Sequence, residues 1–169
     1  MKTGMILLLI GFGFAIGRMS FHVSVYYEYE AKIGCYWDLA DKASTLSQKS
    51  KYIDSFVNAL DSSNLFGIND ALFFPTPSNS FDSNFEALKS LQKRLHDIDG
   101  IDENSFAYQA AIQQITSQEQ GEALNMLEVI RSCWVKKNYY TSWNFIYVII
   151  FTIIQGTLII IGFALLDDY

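Results

Sequence analysis

A chain of 169 residues with 12 Lys and Arg against 18 Asp and Glu carries a formal charge of -6. It lacks the basic surplus that neutralising nucleic-acid phosphates requires. Half of its residues are hydrophobic and 15% are aromatic, an apolar share that excludes a disordered chain, and the length allows one domain or a smaller one with something attached.

Residues 5–17 (MILLLIGFGFAIG) are apolar. A run of that length makes about 20 Å of helix, short of a hydrocarbon core of about 30 Å. Two readings fit. As a signal peptide, 1–17, the block has Lys2 as its basic n-region and Ala15-x-Gly17 as a small-x-small cleavage site. As an uncleaved signal anchor, 1–27, it continues through Arg18, Met19, Phe21, Val23 and Val25 to Tyr26 and Tyr27. We take the anchor. Arg18 then snorkels to the interface or pairs inside the bilayer. Gly13-x-x-x-Gly17 offers a face that a second helix could approach closely; the other reading is glycine simply tolerated in a span.

The central region, 28–138, reads as a helical bundle. Tyr36, Leu39, Ala43, Leu46, Ser50, Ile53, Val57 and Leu60 recur at steps of three and four, the pattern of an amphipathic bundle or coiled-coil helix. Residues 64–80 hold both prolines and form a long connection. Its aromatics Phe66, Phe73 and Phe74 are candidate docking residues, or else a cap on the bundle core. Ser83-x-x-Glu86 is a capping box that starts a second helix, ending at Asp99-Gly100. Asp102 or Asn104 caps a third, and Ser117-x-x-Gln120 starts a fourth whose face is Leu124, Leu127, Ile130 and Trp134. About four helices, antiparallel and outside the membrane, are expected.

The only cysteines, Cys35 and Cys133, fall near the two ends of this region. In an up-and-down bundle with an even number of helices both lie at the membrane-proximal end. That reads as one disulfide closing a loop of about 100 residues, worth up to about 4–5 kcal/mol. Two unrelated buried thiols are the alternative. A disulfide requires an oxidising compartment. The absence of any Asn-x-Ser/Thr sequon favours a bacterial envelope over a glycosylated ectodomain. Against this, Arg18, Lys32, Arg131, Lys136 and Lys137 near the membrane ends outnumber Lys2 in the tails. The positive-inside rule would therefore hold the region in the cytoplasm, but it is weak for long connections. The expectation is the bacterial inner membrane, with the central region in the periplasm.

Residues 143–166 contain no formal charge and make about 36 Å of helix, enough to span with some tilt. Tyr139, Tyr140, Trp143 and Tyr147 stand at its start, where amphipathic rings favour the interface. A transmembrane helix is expected over 139–166, with a short tail, 167–169. Gln155 and Gly156, with Thr152 and Thr157, form a small polar patch suited to helix packing.

Chemistry is sparse. Asp97-x-Asp99-Gly100-x-Asp102-Glu103 clusters carboxylates but departs from a calcium loop in its glycine position and lacks the closing Glu; a helix end followed by an acidic N-cap explains it. His22 and His96 lack zinc-ligand spacing, and no phosphate loop, nucleophile elbow or HExxH is present. No catalytic residue, metal or cofactor is assigned. The all-α layout of two spans flanking a helical domain is similar to that of the four-helix sensor modules of bacterial chemoreceptors, though no motif carries the likeness. The expected role is a non-catalytic structural or interaction subunit of a membrane assembly. Its expected partners are lipid and either a protein or further copies of itself, met through the spans and the helical domain. The alternative is a sensor-like or exclusion or immunity-type binding module.

Overall fold

Two helices carry no polar stripe. Helix α1 (Lys2–Tyr29) and helix α6 (Phe145–Asp167) are apolar around most of their circumference, which in a soluble protein would bury them on every side. Here their outer faces stay uncovered: Met5, Leu9, Ile16 and Met19 on α1 and Ile153, Ile160 and Phe163 on α6 are each more than half exposed. The helical stretch Thr3–Asp41 and the stretch Val148–Leu166 are long and apolar enough to cross a membrane. The protein is seen here in a computed structural model that describes residues 2–71, 74–99, 105, 106, 108, 124–140 and 145–167. Among the described residues it is helical, without strands. The chain divides into two units, one formed by Met1–Tyr27 with Val135–Tyr169 and the other by Glu28–Trp134.

In the first unit, α1 and α6 touch through glycines. A Cβ placed on Gly4 would lie 2.8 Å from the Gly162 carbonyl oxygen, and one on Gly162 would lie 2.8 Å from Leu8 Cγ. One on Gly11 would lie 2.7 Å from Ile159 Cγ1. Missing side chains let the two backbones approach, as between membrane helices generally. Further along, Phe14 meets Phe151 with ring centroids 6.2 Å apart, and Arg18 reaches Thr152. The pairs run in opposite directions along the two helices.

In the second unit, one turn of π-helix (Glu30–Gly34) leads into α2 (Cys35–Asp41), so the chain stays helical from Lys2 to Asp41. The heptad expected to run unbroken over 36–60 is interrupted. Residues 42–45 form a turn, and α3 (Leu46–Asp61) starts anew. The cause is local. Thr45 is extended (φ -125°, ψ 151°), and its hydroxyl accepts the Gln48 N–H at 3.2 Å. This Thr-x-x-Gln N-cap satisfies an otherwise orphan donor and favours a restart over continuation. Leu39 accordingly lies exposed, and Ala40 takes its place inside.

Helix α3 buries Ser50, Ile53, Phe56, Val57 and Leu60, and α2 and α4 both pack on it. Helix α4 (Phe81–Asp99) buries Phe81, Asn84, Phe85, Leu88, Leu91, Leu95 and Ile98, a stripe at steps of three and four. It begins before the expected Ser83, because Ser80 is the cap: its hydroxyl accepts the Ser83 N–H at 3.2 Å. Asp54 on α3 accepts from Gln92 Nε2 at 2.7 Å and lies 2.8 Å from His96 Nε2, both on α4.

The connection between α3 and α4 is pinned rather than loose. Asn64 (φ 54°) and Gly67 (φ 78°) turn it through left-handed conformations, which Asn tolerates and Gly adopts freely. The Gly67 N–H donates to both Asp82 carboxylate oxygens, at 3.1 and 3.2 Å. Asn69 and Ser80 form an isolated antiparallel bridge, and Phe81 N–H donates to the Ile68 carbonyl at 2.9 Å. A 3-10 turn at Pro77–Asn79 leads into α4. Asn84 Nδ2 donates to the carbonyls of Ser78 and Ser80. Helix α5 (Leu124–Val135) completes the unit with Ile130, Cys133 and Trp134 inside. A second π-helical turn, Lys136–Tyr140, follows it. The expected third helix, and the start of the fourth at Ser117, lie outside the described residues apart from 105, 106 and 108.

Candidate functional site

The disulfide expectation is corrected. Cys35 and Cys133 are not close and form no disulfide. Cys35 opens α2 and lies partly exposed, its Sγ turned back to the Ala31 carbonyl of its own helix at 3.4 Å. Cys133 is fully buried on α5, its Sγ 3.8 Å from the Ile68 carbonyl. Each sulfur is directed at a backbone acceptor of a different element, so the pairing argument from bundle ends does not apply. The inference it carried about an oxidising compartment goes with it.

Of the residues expected to pack the membrane helices, Arg18 and Gln155 line one groove in the first unit, together with Thr152. Gly13, Gly17 and Gly156 do not serve the seam, since a Cβ on any of them would meet nothing within 4 Å. Gly4, Gly11 and Gly162 close it instead. A signal was present: Gly4 and Gly11 stand seven residues apart and so share a helix face. Gly13 and Gly17 share another face, and small residues alone could not rank the two.

Among the described residues lining these grooves, Arg18 is the one with a permanently charged side chain. Its Nη1 donates to Thr152 Oγ1 at 2.7 Å, and the Thr152 hydroxyl donates to the Val148 carbonyl at 2.6 Å. Tyr139 is buried nearby against Phe21, at 5.6 Å between centroids, and against His22, at 5.1 Å and edge-on. Arg18 also stands at the edge of a second, apolar groove of about 450 Å³ with Gly13, Phe14 and Gly17.

The expected docking aromatics divide. Phe66 is half exposed, yet its ring lies edge-on to Phe81 at 5.3 Å and to Phe85 at 5.4 Å. Phe81 and Phe85 stack, and the Lys89 ammonium sits 4.6 Å over the Phe85 ring. Phe74 is 83% exposed. Phe73 lies outside the described residues.

The second unit also holds a cleft of about 460 Å³ between the π-turn, α2, α3 and α5. Glu30, Asp38, Lys49 and Arg131 bring both signs of charge to it, beside the Trp37 indole. Gly34 leaves room for the Glu30 side chain to fold over it, and Arg131 Nη1 lies 3.9 Å from Glu30 Oε1. Single π-helical turns within α-helices are frequent at functional sites. Sequence reading missed this cleft because Glu30 and Arg131 are about a hundred positions apart and no local pattern joins them. Among the described residues, no group of three or more His, Cys, Asp and Glu is placed to hold a metal. Most of the acidic cluster at 97–103 lies outside the described residues. Comparison with protein-family models, curated proteins and solved structures gives no match.

Proposed function

We propose that this chain is a small integral membrane protein in which α1 and α6 anchor an antiparallel helical bundle outside the membrane, and that it acts as a non-catalytic structural or interaction subunit of a membrane assembly. The observation that carries the reading is the pair of glycine-sealed apolar helices with bare outer faces. Water does not tolerate that much contiguous apolar surface, whereas a bilayer supplies its solvent. The Gly156 face of α6 and the exposed Phe74 are surfaces left for protein contact. Placement of the bundle in the periplasm of a bacterial inner membrane draws support from Lys2 followed by an uninterrupted apolar run. Labelling of Cys35 in intact cells by a membrane-impermeant thiol reagent tests that side. Affinity purification in mild detergent tests the role. A defined oligomer or a co-purifying membrane protein is the expected result, and a lone monomer rejects it.

The cleft of the second unit favours a second reading, a binding module for a small charged ligand. A thermal-shift screen against the purified protein decides it. Stabilisation that disappears in Arg131→Ala supports the module, and a screen without any stabilising ligand rejects it.

A further inference from the structure

We propose that Arg18 and the groove beneath it form a site for one anionic phospholipid, the guanidinium holding the phosphate and the groove holding an acyl chain. The inference rests on the membrane reading above.

The charge is unanswered within the unit. The sequence holds no Asp or Glu between residues 2 and 27 or between 143 and 166. Along α1 the next carboxylate is Glu28, ten residues away or about 15 Å, and along α6 it is Asp167, fifteen residues from Thr152 or about 22 Å. Among the described residues Arg18 gives its one hydrogen bond to Thr152, whose hydroxyl is itself spent on Val148. A guanidinium has five donors in a planar fork that matches phosphate oxygens two at a time. An unanswered cation in a membrane helix is costly unless an anion or water meets it.

The site lies on the Tyr139 side of the helix pair. Thr152 stands nine residues inside the charge-free stretch 143–166, about 14 Å along the helix. The Arg18 side chain therefore has to extend toward the interface, and a lipid phosphate has to be drawn toward it, for the two to meet. Tyr139 packs against Phe21 and His22 at the same end, as interfacial aromatics do.

The chain has a slot. From Arg18 a groove of about 450 Å³ runs down α1 past Gly17, Phe14, Gly13 and Ile10, with Phe21 above. Gly13 and Gly17 form its floor, each with open space where a Cβ would be. From Phe21 to Ile10 is about 16 Å of helix, close to half of a hydrocarbon core of about 30 Å and so to the depth of one leaflet. Polar atoms gather at Arg18 and the groove below is apolar, which is the polarity of a lipid set in its own leaflet. Charge complementarity calls for an anion, and the polarity of the groove, charged at one end and apolar along its length, favours a lipid over a second helix. A helix carrying a carboxylate at that height would answer the charge equally well, and the experiment separates the two.

Full-length protein in non-ionic detergent, incubated with an equimolar mixture of phosphatidylglycerol and phosphatidylcholine of identical chains, is read by native mass spectrometry. One bound lipid is expected, with phosphatidylglycerol preferred by about tenfold, the weight of one charge-assisted contact. Arg18→Gln removes the headgroup preference, and Arg18→Lys retains part of it. Gly17→Leu fills the slot and lowers retention of both lipids, while Gly156→Leu, on the open face of α6, changes neither. Millimolar inorganic phosphate fails to displace the lipid if the chain slot contributes, and displacement by phosphate alone overturns the lipid assignment. Equal retention of both lipids by the unaltered protein, persistence of the preference in Arg18→Gln and Arg18→Lys alike, or a carboxylate-bearing partner chain occupying the groove overturns the proposal. Recovery of the protein in the membrane fraction without headgroup preference defeats this inference alone. Recovery in the aqueous fraction defeats the membrane reading itself.

Discussion

The two thiols differ in environment more than in sequence context. Cys35 is partly exposed at the start of α2, whereas Cys133 is shut inside the second unit. An alkylating reagent is expected to modify Cys35 in the folded, detergent-solubilised protein and Cys133 only after denaturation, and reductant should leave gel mobility unchanged. A second cysteine modified as fast as the first would contradict the burial. Thr45 shows how one side chain redirects a helix. Replacing it with Ala removes the acceptor for the Gln48 N–H and should cost about 1 kcal/mol in chemical denaturation, whereas Thr45→Ser should be near neutral. The Thr-x-x-Gln signature was present in the sequence but was masked there by the apolar repeat passing over it. Periodicity reports which residues share a face of an assumed helix and says nothing about whether the helix is continuous.

Helices α3 and α4 gain most of their stability from one buried stripe each, because helices of this length are marginal alone. Phe56, fully buried and edge-on to Trp37 at 5.5 Å, is the largest anchor of α3. Phe56→Ala should cost about 3–5 kcal/mol, seen as a lowered midpoint by far-ultraviolet circular dichroism. Ser50, Ile53, Val57 and Leu60 were legible as the inner face from their spacing. Phe56 was not, since it broadens the stripe beside the strict heptad. The α1–α6 pair makes a sharper test, because its glycines differ in surroundings though not in kind. Gly162→Leu should force α1 and α6 apart and reduce cross-linking between cysteines introduced at Leu8 and Ile159, while Gly156→Leu should leave it intact. Equal loss in both variants would mean that the seam is not where these contacts put it.

For the molecule as a whole, the balance lies between two solvents. Residues of the first unit expose large aliphatic and aromatic side chains, whereas the second unit buries a continuous set from Tyr29 and Ile33 to Trp134. Alkaline carbonate should therefore fail to strip the full-length chain from membranes, and partition into the carbonate supernatant would oppose the bilayer reading. The order of residues was sufficient for the helical class and for two apolar helices of spanning length, because hydropathy and the 3.6-residue period are properties of neighbours along the chain. It was sufficient, too, for Ser50, Ile53, Val57 and Leu60 on the inner face of α3. The separation of the two thiols, the choice of Gly4, Gly11 and Gly162 over Gly13 and Gly17, and the meeting of Glu30 with Arg131 required the folded chain. Each depends on the rotation of one helix against another, and groups far apart in sequence carry no local mark of which will meet.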